Sequence, residues 1–326
     1  MSAREAPRQG WPLGLLAVIS AYASLAALVP GCRDGSSTTT ATTPTGVGGI
    51  TADAGRGGSA GAQPDGGTPA GATLMTWNLE TFPLSPQTGT FVSDTLDSLQ
   101  PDLVAVQDIA EASAFASFAA DLPGYDGLLN DDPGAFLRVG LLHRTDRVVI
   151  SDVETLFPSD WYGFPRPPLK VRAEITPESG VSFDFVLVVV HLKAQLDSES
   201  QDRRRAACDA LDGWIRAQLA AGSEQDIVVA GDFNDELTDP PSWNVFGPFL
   251  EAPSDYAFLT LPLEQAGGHT YIPFDSFIDH VLVTSDTLVE YGSGTTEALA
   301  LEQSSPEYEV AVSDHRPVLV RFGLDR

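Results

Sequence analysis

"VVAGDFND", residues 228–235, decides how this chain is read. An apolar run stops at Gly231, and Asp232, Asn234 and Asp235 follow within four positions. Val-Val-Ala buries readily in a strand. Two carboxylates and an amide do not, because burying them without partners is costly. Two readings compete. Gly, Asp and Asn are turn formers, so a plain turn is the default. The alternative is a metal or phosphate site at the C-terminal end of a strand, where open sheets gather ligands.

Working outward, the same pattern recurs. "ATLMTWNLE" (72–80), "DLVAVQD" (102–108) and "VSFDFVLVVVHL" (181–192) read as strands that close on Asn78, Asp108 and His191. "SFIDHVLVT" (276–284) and "YEVAVSDHRPVLVRF" (308–322) set Asp279, and Asp314 with His315, just ahead of apolar runs. If these ends converge, the polar groups satisfy one another and bind a cation. The donors are oxygens: Asp108, Asp232, Asp314 and the amides of Asn78 and Asn234. That set suits a hard divalent ion such as Mg²⁺. No cysteine cluster or His-x-x-x-His pair suggests zinc. His315 with Asp279 offers a His–Asp dyad in which the carboxylate orients the imidazole. An oriented imidazole can take a proton from water near neutral pH. Metal, activated water and amide donors together suit hydrolysis of a phosphoester.

The intervening segments set the architecture. Helical spacing is expected over 91–100, 111–122 and 200–222, the last closed by Gly222. Further strands are expected over 135–143, between Arg144 and Phe157, and over 169–175, with a loop-rich stretch over 236–268. Strands outnumber helices, which implies an α+β sandwich with sheets inside and helices outside. His280 falls on the opposite side of its strand from Asp279. His143 and His269 read as structural, as would His191 taken alone. Arg203–Arg205 read as a solvated helix face. Arg166, among prolines, reads equally as a phosphate contact or a loop arginine. Cys208 reads as a small buried hydrophobe.

"TWNLE", "PDLVAVQD", "VVVHLKA", "VVAGDFND", "FIDHVLVT" and "VSDHRPV", in this order, resemble the endonuclease/exonuclease/phosphatase superfamily over residues 73–323. The resemblance implies a four-layer αββα sandwich and Mg²⁺- or Mn²⁺-dependent phosphoester hydrolysis. It assigns Asn78, Asp108 and Asp314 to the metal side and His191 to the phosphate or leaving group. It assigns Asp232 and Asn234 to the attacking water and the scissile phosphate, Asp279 to the carboxylate behind the catalytic histidine, and His315 to the base. One position departs from the pattern: Gln107-Asp108 stands where the family shows Gln-Glu. An Asp oxygen sits about 1.5 Å further back, one C–C bond.

Charge bears on substrate. The chain has 326 residues with 18 basic and 45 acidic side chains, a net charge of −27. Such a chain is a poor candidate for tight duplex binding through a broad basic face. It remains compatible with a hydrolase that meets phosphates through a bound cation. An exported nuclease or phosphodiesterase, expected as a monomer, is the favoured reading. A phospholipid, inositol-phosphate or other small-phosphoester hydrolase is the alternative, and a degenerate, non-catalytic surface binding lipoprotein is the non-enzymatic one.

The first 72 residues have a different character. Arg4 and Arg8 precede a charge-free apolar run that ends at Val29, Pro30, Gly31 and Cys32. That is the pattern of an export signal, and the final four residues resemble the lipobox of bacterial lipoproteins. Residues 1–32 are therefore expected to direct export, with Cys32 as the lipid attachment site and membrane anchor. Residues 33–72 lack any aromatic residue and are rich in Thr, Ser, Gly, Ala and Pro. Such a segment reads as a tether spanning about 35 Å, leaving 73–326 as the folded domain.

Overall fold

Residues 71–222 and 224–324 are described by a computed structural model. The expected export segment and Cys32, and the tether up to residue 70, lie outside the described residues. Strand β1 (Ala72–Phe82) shows how alternation builds the frame. Leu74 faces the core between two sheets, while Met75 and Trp77 face a core under helices. By the same alternation Asn78 falls on the inner face, where the regular pairing of β1 with its parallel neighbour breaks before Phe82.

The remaining strands are β2 (Leu103–Ile109), β3 (Tyr125–Leu129), β4 (Arg138–Arg144), β5 (Val148–Thr155), β6 (Leu169–Ile175), β7 (Phe183–His191), β8 (Ile227–Asp232), β9 (Tyr256–Phe258), β10 (Asp279–Thr284), β11 (Thr295–Ala298) and β12 (Val318–Phe322). The principal helices are α1 (Thr88–Leu99), α2 (Ala112–Asp121) and α3 (Ser198–Ala221). Among the described residues the strands form two six-stranded mixed sheets, ordered β11-β12-β1-β2-β4-β3 and β5-β6-β7-β8-β10-β9. Their inner faces meet through Leu74, Leu103, Val139, Val171, Leu187, Val228 and Val281. Helices α1 and α2 cover the outer face of the first sheet through Val92, Leu96, Phe115 and Ala119. Helix α3 covers the second through Ala207, Cys208, Leu211 and Ile215. The result is the expected αββα sandwich.

Each sheet contains one parallel pair, β1–β2 and β7–β8, with α1 and α3 in the respective connections. All four of these strands run toward the same end. Strands β10 and β12 pair antiparallel with β8 and β1, so they begin at that end. This is why the polar residues close some strands and precede others. In register, His191 lies opposite Asp232 and Asp232 opposite Asp279, one row across β7, β8 and β10.

Gly231 is the residue the row depends on. Its φ is +152°, and a Cβ built there would lie 2.0 Å from the Val190 carbonyl oxygen. Helix α3 is defined at both ends: Asp197 accepts a hydrogen bond from the Ser200 N–H, and Gly222 takes a left-handed φ of 69°.

Several expectations are corrected in detail. The strand expected from residue 135 begins at Arg138, and β3 precedes it unforeseen. Residues 308–322 divide into a helical turn, Tyr308–Ala311, and β12. The loop-rich stretch contains short helices at 247–250 and 261–265 and strand β9. Arg203–Arg205 are not one solvated face. Arg204 is 1% exposed, its Nε donating to Asp235 Oδ2 at 2.8 Å and its Nη1 to the Lys193 and Gln195 carbonyls. Burial there is compensated because the guanidinium is paired and hydrogen-bonded. Cys208 is buried against the second sheet, and burial pushes its thiol pKa up.

Candidate active site

His315, Asp279, Asp232, His191 and Asn78 converge where the two inner faces end. His315 Nδ1 lies 2.8 Å from Asp279 Oδ2, a buried pair. His315 Nε2 is 4.0 Å from Asp232 Oδ2 and 3.8 Å from Asp314 Oδ1. Asp232 is the hub. Its Oδ2 accepts from Asn78 Nδ2 at 3.0 Å across the sheets and lies 3.4 Å from His191 Nε2. Its Oδ1 accepts the Asn234 N–H at 2.8 Å. The Asn234 side chain donates to the Leu192 carbonyl at 3.2 Å.

The support around these groups is dense. Ser313 Oγ donates to the Asn78 carbonyl at 2.6 Å and accepts the His315 N–H at 2.9 Å. Thr270 Oγ1 accepts the Asp279 N–H at 3.1 Å. Tyr308 donates to the His315 carbonyl and accepts from Trp77 Nε1. Tyr271 packs its ring 5.0 Å from the His315 ring. Left-handed φ values at Glu80 (39°), Thr81 (56°), Asp108 (60°) and Asn234 (56°) fall at this end. Strained non-glycine backbone of this kind persists where surrounding contacts fix it.

Electrostatics follow from crowding acids around an imidazole. Burial opposes charge on His315, but Asp279, Asp232 and Asp314 outweigh it and raise its pKa to about 10. Burial raises Asp232 and Asp314 above the usual carboxylate range. Burial also raises Asp108, but His191 and Arg166 overcome it and hold the carboxyl at about 2.

A family model described as Endonuclease/Exonuclease/phosphatase family matches residues 75–315. The chain belongs to the endonuclease/exonuclease/phosphatase family. Its class is therefore phosphoester hydrolase, with divalent-metal dependence as a family property. No curated protein sequence matches the chain. Solved structures share the fold at low identity. D. rerio TDP2 complexed with a single-strand DNA product has a TM-score of 0.57 at 16% identity, covering 77% of this chain and 98% of that one. The human Nocturnin catalytic domain with bound sulfate has a TM-score of 0.55 at 17% identity, covering 78% and 95%. A Bacteroides thetaiotaomicron mannosyl-6-phosphatase has a TM-score of 0.54 at 18% identity, covering 77% and 98%.

The residues present fit the family's cation. Asp108 Oδ1 and Asp279 Oδ1 are buried without a hydrogen-bond donor. Among the described residues, Asp232, Asp279 and His315 bring ligand atoms within 4.8 Å of one another. Within that trio Asp279 and His315 already satisfy each other. The expected metal-side residues are placed differently from one another. Asp108 Oδ1 approaches His191 Nδ1 at 3.1 Å, at an angle short of a hydrogen bond. Its positive φ and the register shift between β2 and β4 re-aim it. Asp314 instead faces Glu80, whose Oε2 accepts the Asp314 N–H at 2.9 Å.

Glu80 is the residue that sequence reasoning missed. Burial and the neighbouring Asp314 raise its pKa to about 7, so the two carboxyls form a like-charge pair that a cation would relieve. The Glu80 N–H donates to Asn78 Oδ1 at 2.9 Å, which ties it to the same site. The signal was present as Asn-x-Glu in "TWNLE". His280 lies outside the site, on the outer face among Phe233, Phe246, Phe258 and Phe277, and burial lowers its pKa to about 4. His143 and His269 lie elsewhere too, His269 facing Asp275 at 3.4 Å.

Proposed function

We propose that this chain is a divalent-metal-dependent phosphodiesterase acting on nucleic acid, with His315 as the base that activates water. The observation that carries this is the 2.8 Å His315–Asp279 pair, set 4.0 Å from an Asp232 that is itself held by Asn78 and Asn234. Asp279 fixes the imidazole so that Nε2 faces the reacting position, and it stabilises the imidazolium that forms. Asp232 orients the attacking water, and Asn234 and His191 contact the phosphoryl oxygens. Glu80, Asp108, Asp314 and the Asn78 amide oxygen are the groups that would hold Mg²⁺ or Mn²⁺. The ion, when bound, supplies charge neutralisation of the phosphoryl oxygens and of the developing leaving group. The carboxylates of Asp279, Asp232 and Asp314 raise the pKa of His315 against its burial, which stabilises the imidazolium formed when Nε2 takes the proton from water.

Nucleic acid is favoured because, among the described residues, Arg166, Lys193 and Arg203 lie at the site's end of the sandwich with no carboxylate within 4.0 Å, in an otherwise acidic chain. The TDP2 complex with single-strand DNA is consistent with this choice. Export and anchoring through Cys32 belong to the same proposal and rest on the sequence pattern of residues 1–32 alone. The test is a substrate panel with full-length protein and Mg²⁺ or Mn²⁺: single-stranded DNA, plasmid DNA, sphingomyelin vesicles and inositol phosphates. Metal-dependent cleavage of DNA is expected. Turnover of the lipid or inositol phosphate alone would replace nucleic acid with that substrate.

A further inference from the structure

Among the described residues every lysine and arginine has a carboxylate within 4.0 Å except Arg138, Arg166, Lys193 and Arg203. In a chain with 45 acidic residues, pairing is the default. All four exceptions lie at the end of the sandwich that carries the candidate site. Arg138 begins β4 opposite Ile109 at the end of β2. The other three form a path. Arg166 Nη1 donates at 3.0 Å to the Leu192 carbonyl, the oxygen that also accepts from Asn234 Nδ2. Lys193 follows in the chain, its Nζ donating to the Ala194 carbonyl at 2.6 Å; burial first, then the neighbouring Arg203 and Arg166, lower its pKa against the pull of Asp197.

Arg203 carries the path to an aromatic surface. Its Nε and Nη2 donate at 2.7 Å to the Tyr162 and Trp161 carbonyls. Its guanidinium carbon lies 5.6 Å from the Trp161 ring centroid. The indole is 73% exposed. The exposed aromatic residues among those described are Phe136, Trp161, Tyr162, Trp243 and Phe274, and all sit in connections at this same end.

We propose that Arg166, Lys193, Arg203 and Trp161 form a subsite for single-stranded nucleic acid that extends beyond the scissile phosphodiester. This rests on the phosphodiesterase reading above and names the substrate form that reading leaves open. The cations meet backbone phosphates, and Trp161 offers a flat face to a base. A cationic track with an aromatic platform is how proteins hold single strands without reading sequence. The patch is a narrow track in a chain of net charge −27, which disfavours a duplex needing a broad basic face.

The test uses the full-length chain, with Trp161→Ala and Arg203→Gln made separately because both side chains lie at the surface. Anisotropy of a labelled twelve-residue oligothymidylate, read without added metal, reports binding independently of turnover. Trp161→Ala should weaken binding about tenfold, the size of one stacking contact, and Arg203→Gln should weaken it by a similar factor at low salt through the loss of one phosphate contact. With metal present, each should also lower the ratio of kcat/KM on the oligomer to kcat/KM on bis-p-nitrophenyl phosphate by a similar factor. A variant pair that binds and cleaves the oligomer like the parent protein overturns the subsite. So does loss of binding to phosphatidylcholine vesicles with oligomer binding intact, which would make the patch a lipid surface. A parent protein that binds the oligomer through these residues yet hydrolyses neither substrate would overturn the proposed function and leave the subsite standing.

Discussion

His315 is held between carboxylates on three sides, and its protonation follows from that. Its folded pKa of about 10 lies above the 6.5 of a free imidazole. A raised folded pKa contributes stability that is fully present below pH 6.5 and is lost as pH rises toward 10. In metal-free protein the urea midpoint should therefore fall between pH 6.5 and 10, and His315→Asn should flatten that dependence. An equal fall in the variant would remove the Asp279–His315 pair as its source. Glu80→Gln should weaken Mg²⁺ binding on the order of tenfold by calorimetry, because it removes one oxygen of the Glu80–Asp314 pair. Unchanged affinity would place the ion away from Glu80. The residue types of the site were legible in sequence because Asn78, His191, Asp232 and Asp279 each fall on the inward phase of an alternating strand. The aim of Asp108 was not, since it depends on a left-handed φ of 60° and a break in the β2 ladder that no residue pattern marks.

At the scale of elements, the crossover of β7, α3 and β8 delivers His191 and Asp232 side by side. Within it, a Cβ at Gly231 would lie 2.0 Å from the Val190 carbonyl oxygen. Gly231→Ala should destabilise the fold by about 3 kcal/mol or more, because strands β7 and β8 must separate to admit the methyl group. Asp197→Ala, which only removes the α3 cap, should cost about 1 kcal/mol. Comparable denaturation midpoints for the two variants would contradict this ordering. Long elements were legible because their periods are strong: the Ala207, Cys208, Leu211 and Ile215 stripe of α3 is plain in the sequence. The short strands β3, β9 and β11 were not, because pairing with neighbours rather than local pattern defines them. Arg204 was misread for the same reason, its partner Asp235 lying 31 positions away.

For the whole molecule, two mixed sheets with their inner faces sealed by apolar side chains leave a polar exit at one end. Their strand directions bring the closing residues of four strands and the opening residues of two others to that exit. The ordered motifs made this architecture legible. The concentration, among the described residues, of exposed aromatics and of cations with no carboxylate within 4.0 Å at the same end was not, since it depends on which arginines find acidic partners in three dimensions. Three phosphate contacts, through Arg166, Lys193 and Arg203, should give oligonucleotide binding a salt slope of about −2 on a log–log plot. A slope near zero would mean that these cations do not meet phosphate.

The most direct test of the central claim is hydrolysis of labelled single-stranded DNA by the full-length chain with Mg²⁺ or Mn²⁺, run beside an EDTA control and His315→Ala. The expected result is cleavage that disappears in both controls while the far-ultraviolet circular dichroism of the variant matches that of the parent protein. Cleavage that survives EDTA or the loss of His315 would contradict the site assigned here.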